Sequence, residues 1–477
     1  MQQLSGLDAS FLAMETPRVV AHVGGVCMLD PSESAEPLDL ERLTAIIGER
    51  LSLAPLLRRR LASVPLGLDM PYWVDDPDFD LEYHVRELAL PAPGSQAQLV
   101  EQVARIHARQ LDRRRPLWEM YLISGLAGGR LAAYTKMHHA AIDGISGTEL
   151  LTAVLDLSPE GRSLPPEEPF HPEPPPSSLG MLARTARSYA TRPWAVARLA
   201  AGLVRRAPAL GATYRQPLER LLRLGERDGD VIAVVPVGAP ATPLNQTITP
   251  HRRVAFRTVP LADVKRVKKA HGVTVNDVVM AMCAGALRRW LIDHDALPEQ
   301  PLVAMVPVSV RADPEHEGGR GGNNKVSSMF AVLPTHLSDP VERIRVANQA
   351  TRIAKAQHAA LPPGLVHDVS SFAIPALAGR ASRVAGGLGL MQRVNPFNLV
   401  ISNVPGPNIP VYLGGLKVSE YYPVSTIPDG QGLNITVLGY LGTLHFGLVS
   451  CRELVPDLDD IAGHLVTELE DLLKLGG

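Results

Sequence analysis

Two adjacent histidines, His138 and His139, stand four to five positions ahead of Asp143 and Gly144 in the stretch YTKMHHAAIDG. A neutral imidazole is a base near neutral pH, and a hydrogen bond at one ring nitrogen leaves the other free to accept a proton. Asp143 and Gly144 are typical turn residues, so we expect them to shape the backbone. The pattern therefore predicts that histidine alone carries the chemistry.

Three other interpretations of the pair stay open at this point. One histidine could be a buried core residue and the other an exposed one. Histidine and aspartate are also metal ligands, but HExxH is absent and no His or Cys cluster has ligand spacing. A serine or cysteine hydrolase is disfavoured because GxSxG is absent and Cys27, Cys283 and Cys451 lie in apolar surroundings.

Composition limits the kind of protein. The chain has 477 residues, 45% hydrophobic and 20% charged, which predicts a globular protein with two large domains. A net charge of −2 favours no nucleic-acid partner. The scattered cysteines are typical of a reducing compartment. The first residues lack a signal-peptide pattern and no apolar run is long enough to span a bilayer, so we expect a cytoplasmic protein.

Short strands and helices surround the histidines. Residues 21–29 are predicted to form a strand, and LDLERLTAIIGERLSL and QLVEQVARIHARQL to form helices. LWEMYLISGL and RLAAYTKMHH predict two strands joined around Ala127–Gly129, the second of which ends at the histidines. Ser146 and Glu149 form a capping box that predicts a helix starting at Ser146.

A segment rich in proline and glutamate, PPEEPFHPEPPPSS at 165–178, predicts an extended linker. Residues 174–218 then contain no Asp or Glu, and their arginines are interleaved with apolar residues. Either this segment forms helices packed across two domains with arginines in water, or it lies on an anionic lipid surface. The arginines are Arg184, Arg187, Arg192, Arg198, Arg205, Arg206 and Arg215.

The second half alternates strands and helices again. A strand at 253–259 precedes a helix that Pro260 begins and Gly272 ends, and a longer apolar helix starts near Thr274. Further strands are predicted at 302–310 and 395–404 and in the hairpin LNITVLGY/TLHFGLVS, followed by a C-terminal amphipathic helix. No nucleotide-binding GxGxxG or P-loop is present. We therefore predict an α/β protein with domains at 1–164 and 241–477, separated by a linker segment at 165–240.

The ordered set of motifs resembles one family. The string HHxxxDG is shared by CoA-dependent acyltransferases, and the flanking motifs resemble bacterial wax ester synthase/acyl-CoA:diacylglycerol acyltransferases. The resemblance covers nearly the whole chain, in LSGLDASFLAMETP, AHVGG, RPLWEMYLISGL, HHAAIDG, TVNDVVMA, VPVSVR, GNNKVSSMFAVLPTHLSDPVERI and NLVISNVPGPNIPVYLGG.

The resemblance implies two chloramphenicol-acetyltransferase-like domains with an active-site tunnel at their interface. His139 would be the general base that deprotonates an acceptor hydroxyl, which attacks the acyl-CoA thioester directly. His138 would support it, and Asp143 and Gly144 would be structural. The reaction implies acyl-CoA as a substrate and no cofactor or metal.

Further residues are candidates for substrate contacts. Asn276, Ser402 and Asn403 are candidates for stabilising the oxyanion, although Asn276 could instead cap a helix and Asn403 form a turn. Three residues of the PLW motif are acyl-tunnel or plain core residues, namely Pro116, Leu117 and Trp118. Four cations on one helix are CoA-phosphate candidates or a solvated helix face, namely Lys265, Arg266, Lys268 and Lys269.

The resemblance implies an enzyme that makes triacylglycerol from diacylglycerol and acyl-CoA, with wax ester synthesis from long-chain alcohols as a side activity. It would be in peripheral contact with the inner face of a membrane or with lipid droplets. One alternative is acyl transfer to a specialised lipid, a small molecule or an amine. The other is a catalytically idle lipid-binding protein, which the intact His139 argues against.

Overall fold

The part of the chain that the structure describes folds around two six-stranded sheets and one three-stranded sheet. The structure is a computed structural model that describes residues 1–141 apart from 33 and 35, 154–162, 164, 170–188, 190, 238–310, 325–360 and 395–475. Its helices are α1 (Gly6–Met14), α2 (Leu40–Arg50), α3 (Leu81–His84), α4 (Gln96–His107), α5 (Leu261–His271), α6 (Val275–Asp293), α7 (Pro340–Ala360) and α8 (Leu458–Leu475). Its strands are β1 (Gln2–Gln3), β2 (His22–Asp30), β3 (Arg59–Ala62), β4 (Tyr72–Asp75), β5 (Val85–Ala89), β6 (Trp118–Ser124), β7 (Leu131–His138), β8 (Arg252–Pro260), β9 (Leu302–Val310), β10 (Lys325–Leu333), β11 (Leu399–Pro405), β12 (Tyr412–Leu413), β13 (Leu416–Val424), β14 (Leu433–Tyr440) and β15 (Thr443–Cys451).

The first large sheet carries the histidine pair. Its strand order is β12-β13-β2-β7-β6-β5, so β7 lies between β2 and β6, and His138 pairs with His22 at the end of the β2–β7 ladder. The predicted strands at 21–29, 117–126 and 130–139 are confirmed within a few residues. β12 and β13 come from the C-terminal half of the chain; β13 pairs with β2, and β12 pairs with β13 at the edge of the sheet. The first sheet is thus completed by residues that lie beyond the predicted boundary at 241.

The second large sheet has the order β10-β9-β11-β14-β15-β8. β11 is parallel to both of its neighbours, whereas β14 and β15 form the predicted antiparallel hairpin. The mixed α/β fold is therefore confirmed, with strands and helices in both halves of the chain.

Local sequence signals begin and end the helices as expected. Ser95 begins α4 through a capping box with Gln98, and Thr274 begins α6 through one with Asp277. The intervening α5 follows Pro260 and ends at Gly272, whose φ of 65° is a left-handed conformation that glycine adopts without strain. The predictions of helix boundaries at Pro260, Gly272 and Thr274 are confirmed.

The hydrophobic core has three main clusters. One lies between the second sheet and helices α6 and α8, and another lies under α1 and α2 on one face of the first sheet. The third joins the other face of the first sheet to α4 and to strands β8 and β15 of the second sheet. α4 thus packs against both sheets, and the side chain of Gln96 donates a hydrogen bond to the carbonyl of Phe256 on β8.

The small sheet, ordered β1-β4-β3, is covered by helical residues 178–188, which we call the linker helix. Met181 of this helix packs with Val64, Tyr72 and Val74. Of the extended linker predicted at 165–178, residues 170–177 have no regular secondary structure, whereas Ser178 already belongs to the linker helix.

Within the described residues, no single helix has the length and apolar composition to cross a membrane. Only α5 and α6 taken together have such a composition, and they are bent by 99° relative to each other. All three cysteines are buried and unpaired, and burial raises the pKa of Cys27 and of Cys283 to about 12.

Candidate active site

The two histidines leave the end of β7 in opposite directions. The backbone N–H of His138 donates to the carbonyl of Leu117 at 3.0 Å, and that of His139 donates to the carbonyl of Ala21 at 2.7 Å. The ring of His138 meets the edge of His22, whereas the ring of His139 stacks on Phe11 of α1. One imidazole therefore faces a polar interior and the other faces the side of the sheet that carries α1.

His138 has a defined tautomer. Its Nδ1 atom accepts a hydrogen bond from the backbone N–H of Ala140 at 3.1 Å, so in the neutral ring the hydrogen is on Nε2. That Nε2 atom lies 3.6 Å from a carboxylate oxygen of Glu15, an electrostatic contact slightly longer than a hydrogen bond. The ring is buried, which suits the supporting role that the sequence predicts for it.

Glu15 connects the elements around the histidines. One carboxylate oxygen lies 3.3 Å from Nε2 of His22 and accepts from the backbone N–H of Ala21 at 3.4 Å, and the other accepts from Arg113 at 2.7 Å. Burial by itself would raise the pKa of Glu15. The contacts with His138, His22 and Arg113 outweigh burial and hold that pKa well below its usual range.

Sequence reasoning missed Glu15. It stands in the motif LSGLDASFLAMETP directly after α1, and its side chain is only 3% exposed. Because Ala21 also accepts the N–H of His139, the carboxylate braces the backbone of one histidine and the ring of the other. A glutamate among apolar residues at the end of a helix was the available signal.

His139 has the protonation state that a base needs. Burial and the neighbouring His138 lower its pKa to about 4, so the ring is neutral at pH 7. Its ring centroid is 3.9 Å from that of Phe11, and its Nδ1 atom has no hydrogen-bond partner among the described residues. A neutral, half-buried imidazole in this setting can accept a proton.

A layer of buried polar groups lies behind the histidines. Nζ of Lys136 donates to the carbonyls of Ile106 and Arg109 and lies 3.2 Å from the carboxylate of Glu119. Burial lowers the pKa of His107, and nearby cations, Lys136 among them, lower it further. This histidine is therefore neutral, and its Nδ1 bonds with the hydroxyl of Tyr134 at 2.8 Å.

Hydrogen bonds continue from this layer into the second sheet. Nε2 of His107 lies 3.2 Å from the carbonyl of Ser425, whose hydroxyl bonds with that of Thr436 at 2.9 Å. Thr436 on β14 is the register partner of Ser402 on β11. Hydrogen bonds thus join His107 of the first half of the chain to Ser425 and Thr436 of the second half, at the junction of the two large sheets.

The structure brings together two of the oxyanion candidates that are far apart in sequence. The side-chain amide of Asn403 donates to the side-chain oxygen of Asn276 at 3.4 Å. Thr274, not Asn276, caps α6, and Asn403 lies within β11, so the two alternative roles considered for these asparagines are wrong. Among the described residues, no hydrogen bond or ring contact joins this pair to His139.

The PLW residues are packed in the core. Trp118 is buried, donates from its indole N–H to the carbonyl of Leu57 at 2.8 Å, and stacks on His84 at 4.6 Å. Leu117 and Pro116 are buried as well, and Leu117 accepts the N–H of His138. These contacts support the core interpretation, and acyl-tunnel contact stays a prediction.

The remaining candidates are placed as follows. The four cations of α5 are exposed, and Arg266 pairs with Asp263. Exposed cations fit both a solvated helix face and binding of the CoA phosphates, so CoA binding stays a prediction. Asp143, Gly144 and the capping box of Ser146 and Glu149 lie outside the described residues. No group of three or more metal-ligating side chains occurs in the part of the chain that the structure describes.

Known proteins are similar to this chain along most of its length. Residues 4–279 match the model of the wax ester synthase/diacylglycerol acyltransferase catalytic domain, and residues 322–473 match that of the WS/DGAT C-terminal domain. A Mycobacterium tuberculosis relative named a probable diacylglycerol O-acyltransferase is 38% identical over 475 residues, covering 98% of each chain. Another relative from that species, also named for diacylglycerol O-acyltransferase, is 39% identical and covers 99% of this chain and 90% of its own length.

Solved structures show the same fold. A wax ester synthase/diacylglycerol acyltransferase from Marinobacter aquaeolei VT8 superposes with a TM-score of 0.68 at 30% identity, covering 100% of both chains. The first condensation domain of the calcium-dependent antibiotic synthetase gives a TM-score of 0.52 at 16% identity, covering 100% of this chain and 96% of that domain. This second likeness concerns the fold alone.

Proposed function

Because the chain belongs to the wax ester synthase/diacylglycerol acyltransferase family, we propose that it transfers a long-chain acyl group from acyl-CoA to the free hydroxyl of diacylglycerol. The products are triacylglycerol and CoA. Long-chain alcohols are further acceptors and give wax esters. As a member of this family the chain is an acyltransferase, and its substrates are an acyl-CoA and an acyl acceptor.

The neutral His139 is the observation that carries the proposal. Its Nε2 accepts the proton of the acceptor hydroxyl as the oxygen attacks the thioester carbonyl. The tetrahedral oxyanion then collapses, the carbon–sulfur bond breaks, and the proton passes from the imidazolium to the departing CoA thiolate. The ring ends neutral, so each turnover begins from the same state without an acyl-enzyme.

Glu15 and His138 position this base. The carboxylate holds His138 and the backbone at Ala21, and Ala21 in turn holds the backbone of His139. A fixed base lowers the entropic barrier of a reaction between two bound substrates.

Residues of α6 and β11 supply the polar groups for the developing oxyanion. Asn276 and Asn403 are uncharged donors already in contact with each other, and Ser402 precedes Asn403 on β11. Uncharged donors of this kind stabilise an oxyanion when they are fixed before the reaction. The exposed Lys265, with its three cationic neighbours on α5, contributes positive charge for the CoA phosphates.

No cofactor takes part in this reaction. The acyl donor is already activated as a thioester, and the acceptor needs only a base. Because diacylglycerol and long-chain alcohols partition into lipid phases, the enzyme works at the cytoplasmic face of a membrane or at lipid droplets as a peripheral protein.

Release of CoA thiol from palmitoyl-CoA tests the proposal. The purified protein is given diacylglycerol, a long-chain alcohol or no acceptor, and the lipid product is identified in each case. His139→Ala is expected to lower kcat by roughly a hundredfold to ten-thousandfold, the usual contribution of general-base catalysis. His251→Ala, which removes an exposed histidine on the second domain, is the matched control and should leave kcat unchanged.

Each result decides between the candidate functions. Release that depends on diacylglycerol and is lost in His139→Ala supports triacylglycerol synthesis. Release only with another hydroxyl or an amine would move the assignment to a different acceptor. Full activity in His139→Ala would remove this residue from the role of base, and a lack of release with every acceptor would favour an idle lipid-binding protein.

A further inference from the structure

The linker helix, residues 178–188, has an inner and an outer side that differ in their contacts. Met181 and Thr185, four residues apart, are buried, and Met181 packs against Val64 and its neighbours on the small sheet. This spacing places both side chains on one face of the helix. The helix is therefore anchored to the protein along a single inner face.

The outer face is apolar as well. Leu179, Ala183 and Ala186 follow the four-and-three spacing of one helical stripe, and Ala190 continues it. All four are exposed, and the side chain of Leu179 is 78% exposed. An ordinary surface helix would carry polar residues on this face, so among the described residues the outer stripe has no partner of the kind that its composition calls for.

The same helix carries two arginines. Arg184 and Arg187 are exposed and form no ion pair with any residue that the structure describes. Residues 174–218 contain no acidic residue, so nothing within this stretch neutralises them. Two copies of the chain meeting on this stripe would bring their arginines together, whereas an anionic surface would neutralise them.

We propose that the outer stripe is the element by which the protein docks on an anionic lipid surface. Leu179 and the following alanines enter the boundary between head groups and acyl chains, and Arg184 and Arg187 bind the lipid phosphates. This inference rests on the proposed function in one respect, namely that the acceptor is a lipid that the enzyme meets at such a surface. The inner face keeps the helix fixed to the small sheet while the outer face is in the lipid.

Flotation of the full-length protein with vesicles measures the docking. The vesicles contain phosphatidylcholine alone or with one third phosphatidylglycerol, and stronger binding is expected with the anionic lipid. Arg184→Gln combined with Arg187→Gln should weaken binding to anionic vesicles by roughly thirtyfold. Leu179→Gln should weaken it by roughly tenfold.

Matched controls come from other helices. Arg345→Gln combined with Arg352→Gln removes two exposed arginines of α7, and Leu475→Gln alters a leucine at the end of α8 that is 53% exposed. Both should bind vesicles like the unchanged protein. Equal losses in the controls, or unchanged binding of the linker-helix variants, would overturn the proposal. So would a Leu179→Gln variant that dissociates a dimer, because the stripe would then cover a second copy.

CoA release in detergent micelles separates this inference from the proposed function. The linker-helix variants should keep their activity there, since the substrate is presented without a lipid surface. If the unchanged protein releases no CoA but floats in a stripe-dependent manner, the acyl-transfer proposal fails and the docking surface stands. If acyl transfer is intact and flotation ignores the stripe, the docking surface fails alone.

Discussion

Replacing Glu15 by glutamine removes one buried negative charge and almost no volume. The amide oxygen can still accept from the backbone N–H of Ala21, but it no longer neutralises Arg113 or attracts His22 and His138. Arg113 is 45% exposed, so its share is that of a surface ion pair, under about 1 kcal/mol. A buried hydrogen bond to a charged group contributes about 1.5–3 kcal/mol, which sets the larger share.

We therefore expect Glu15→Gln to lower the free energy of unfolding by about 2 kcal/mol. The ring of His138 loses the electrostatic contact with Glu15, and the backbone of His139 is anchored at Ala21, which Glu15 also contacts. A displacement of the base on the order of 1 Å costs up to a hundredfold in rate, so kcat should fall by roughly ten- to a hundredfold. KM for palmitoyl-CoA should change little, because the lost contacts bind the base and not the substrate.

Urea unfolding and steady-state CoA release measure the two effects. Glu101→Gln is the matched control, since Glu101 also pairs with an arginine, Arg105, but both side chains are 60% exposed. That variant should lose less than about 0.5 kcal/mol and no activity. A Glu15→Gln enzyme with the kcat and urea midpoint of the unchanged protein would refute the positioning argument. A rise in KM at constant kcat would instead assign Glu15 to substrate binding.

Three further predictions follow from glycine packing and histidine ionisation. Gly285→Ala should destabilise the protein by about 2–4 kcal/mol in urea unfolding, because the added methyl group overlaps the buried carboxylate of Glu468. Gly463→Ala, whose added methyl group meets open space in a helix, should stabilise the protein by about 0.5–1 kcal/mol. Equal effects of the two substitutions would contradict this packing. Burial lowers the pKa of His84 to about 4, so as the pH falls from 6.5 toward 4 the unfolded chain binds a proton at this residue before the folded chain does. The free energy of unfolding should therefore fall by up to roughly 3 kcal/mol over this range, and His84→Gln should abolish this part of the pH dependence. The base His139 is neutral above its pKa of about 4, so kcat/KM should be flat from about pH 5.5 to 8 and fall only at lower pH; an apparent pKa near 7 for the acidic limb would show that another group is titrating.

The sequence by itself determined the local elements near the site. Alternating and helical spacing predicted β7 up to the histidines and the helix α6, and Pro260, Gly272 and Thr274 marked real boundaries. These signals are short-range, because a cap or a left-handed glycine acts within a few residues of itself. The motif around His139 also identified the family, which the comparisons confirm.

The tertiary structure alone decided which residues surround the base. Glu15 precedes His138 by more than a hundred positions, and their contact depends on how α1, β2 and β7 pack together. Asn276 and Asn403 meet for the same reason, and β13 joins the first sheet from the far end of the chain. Such contacts depend on the packing of whole elements, and the spacing of residues along the chain carries no direct record of that packing.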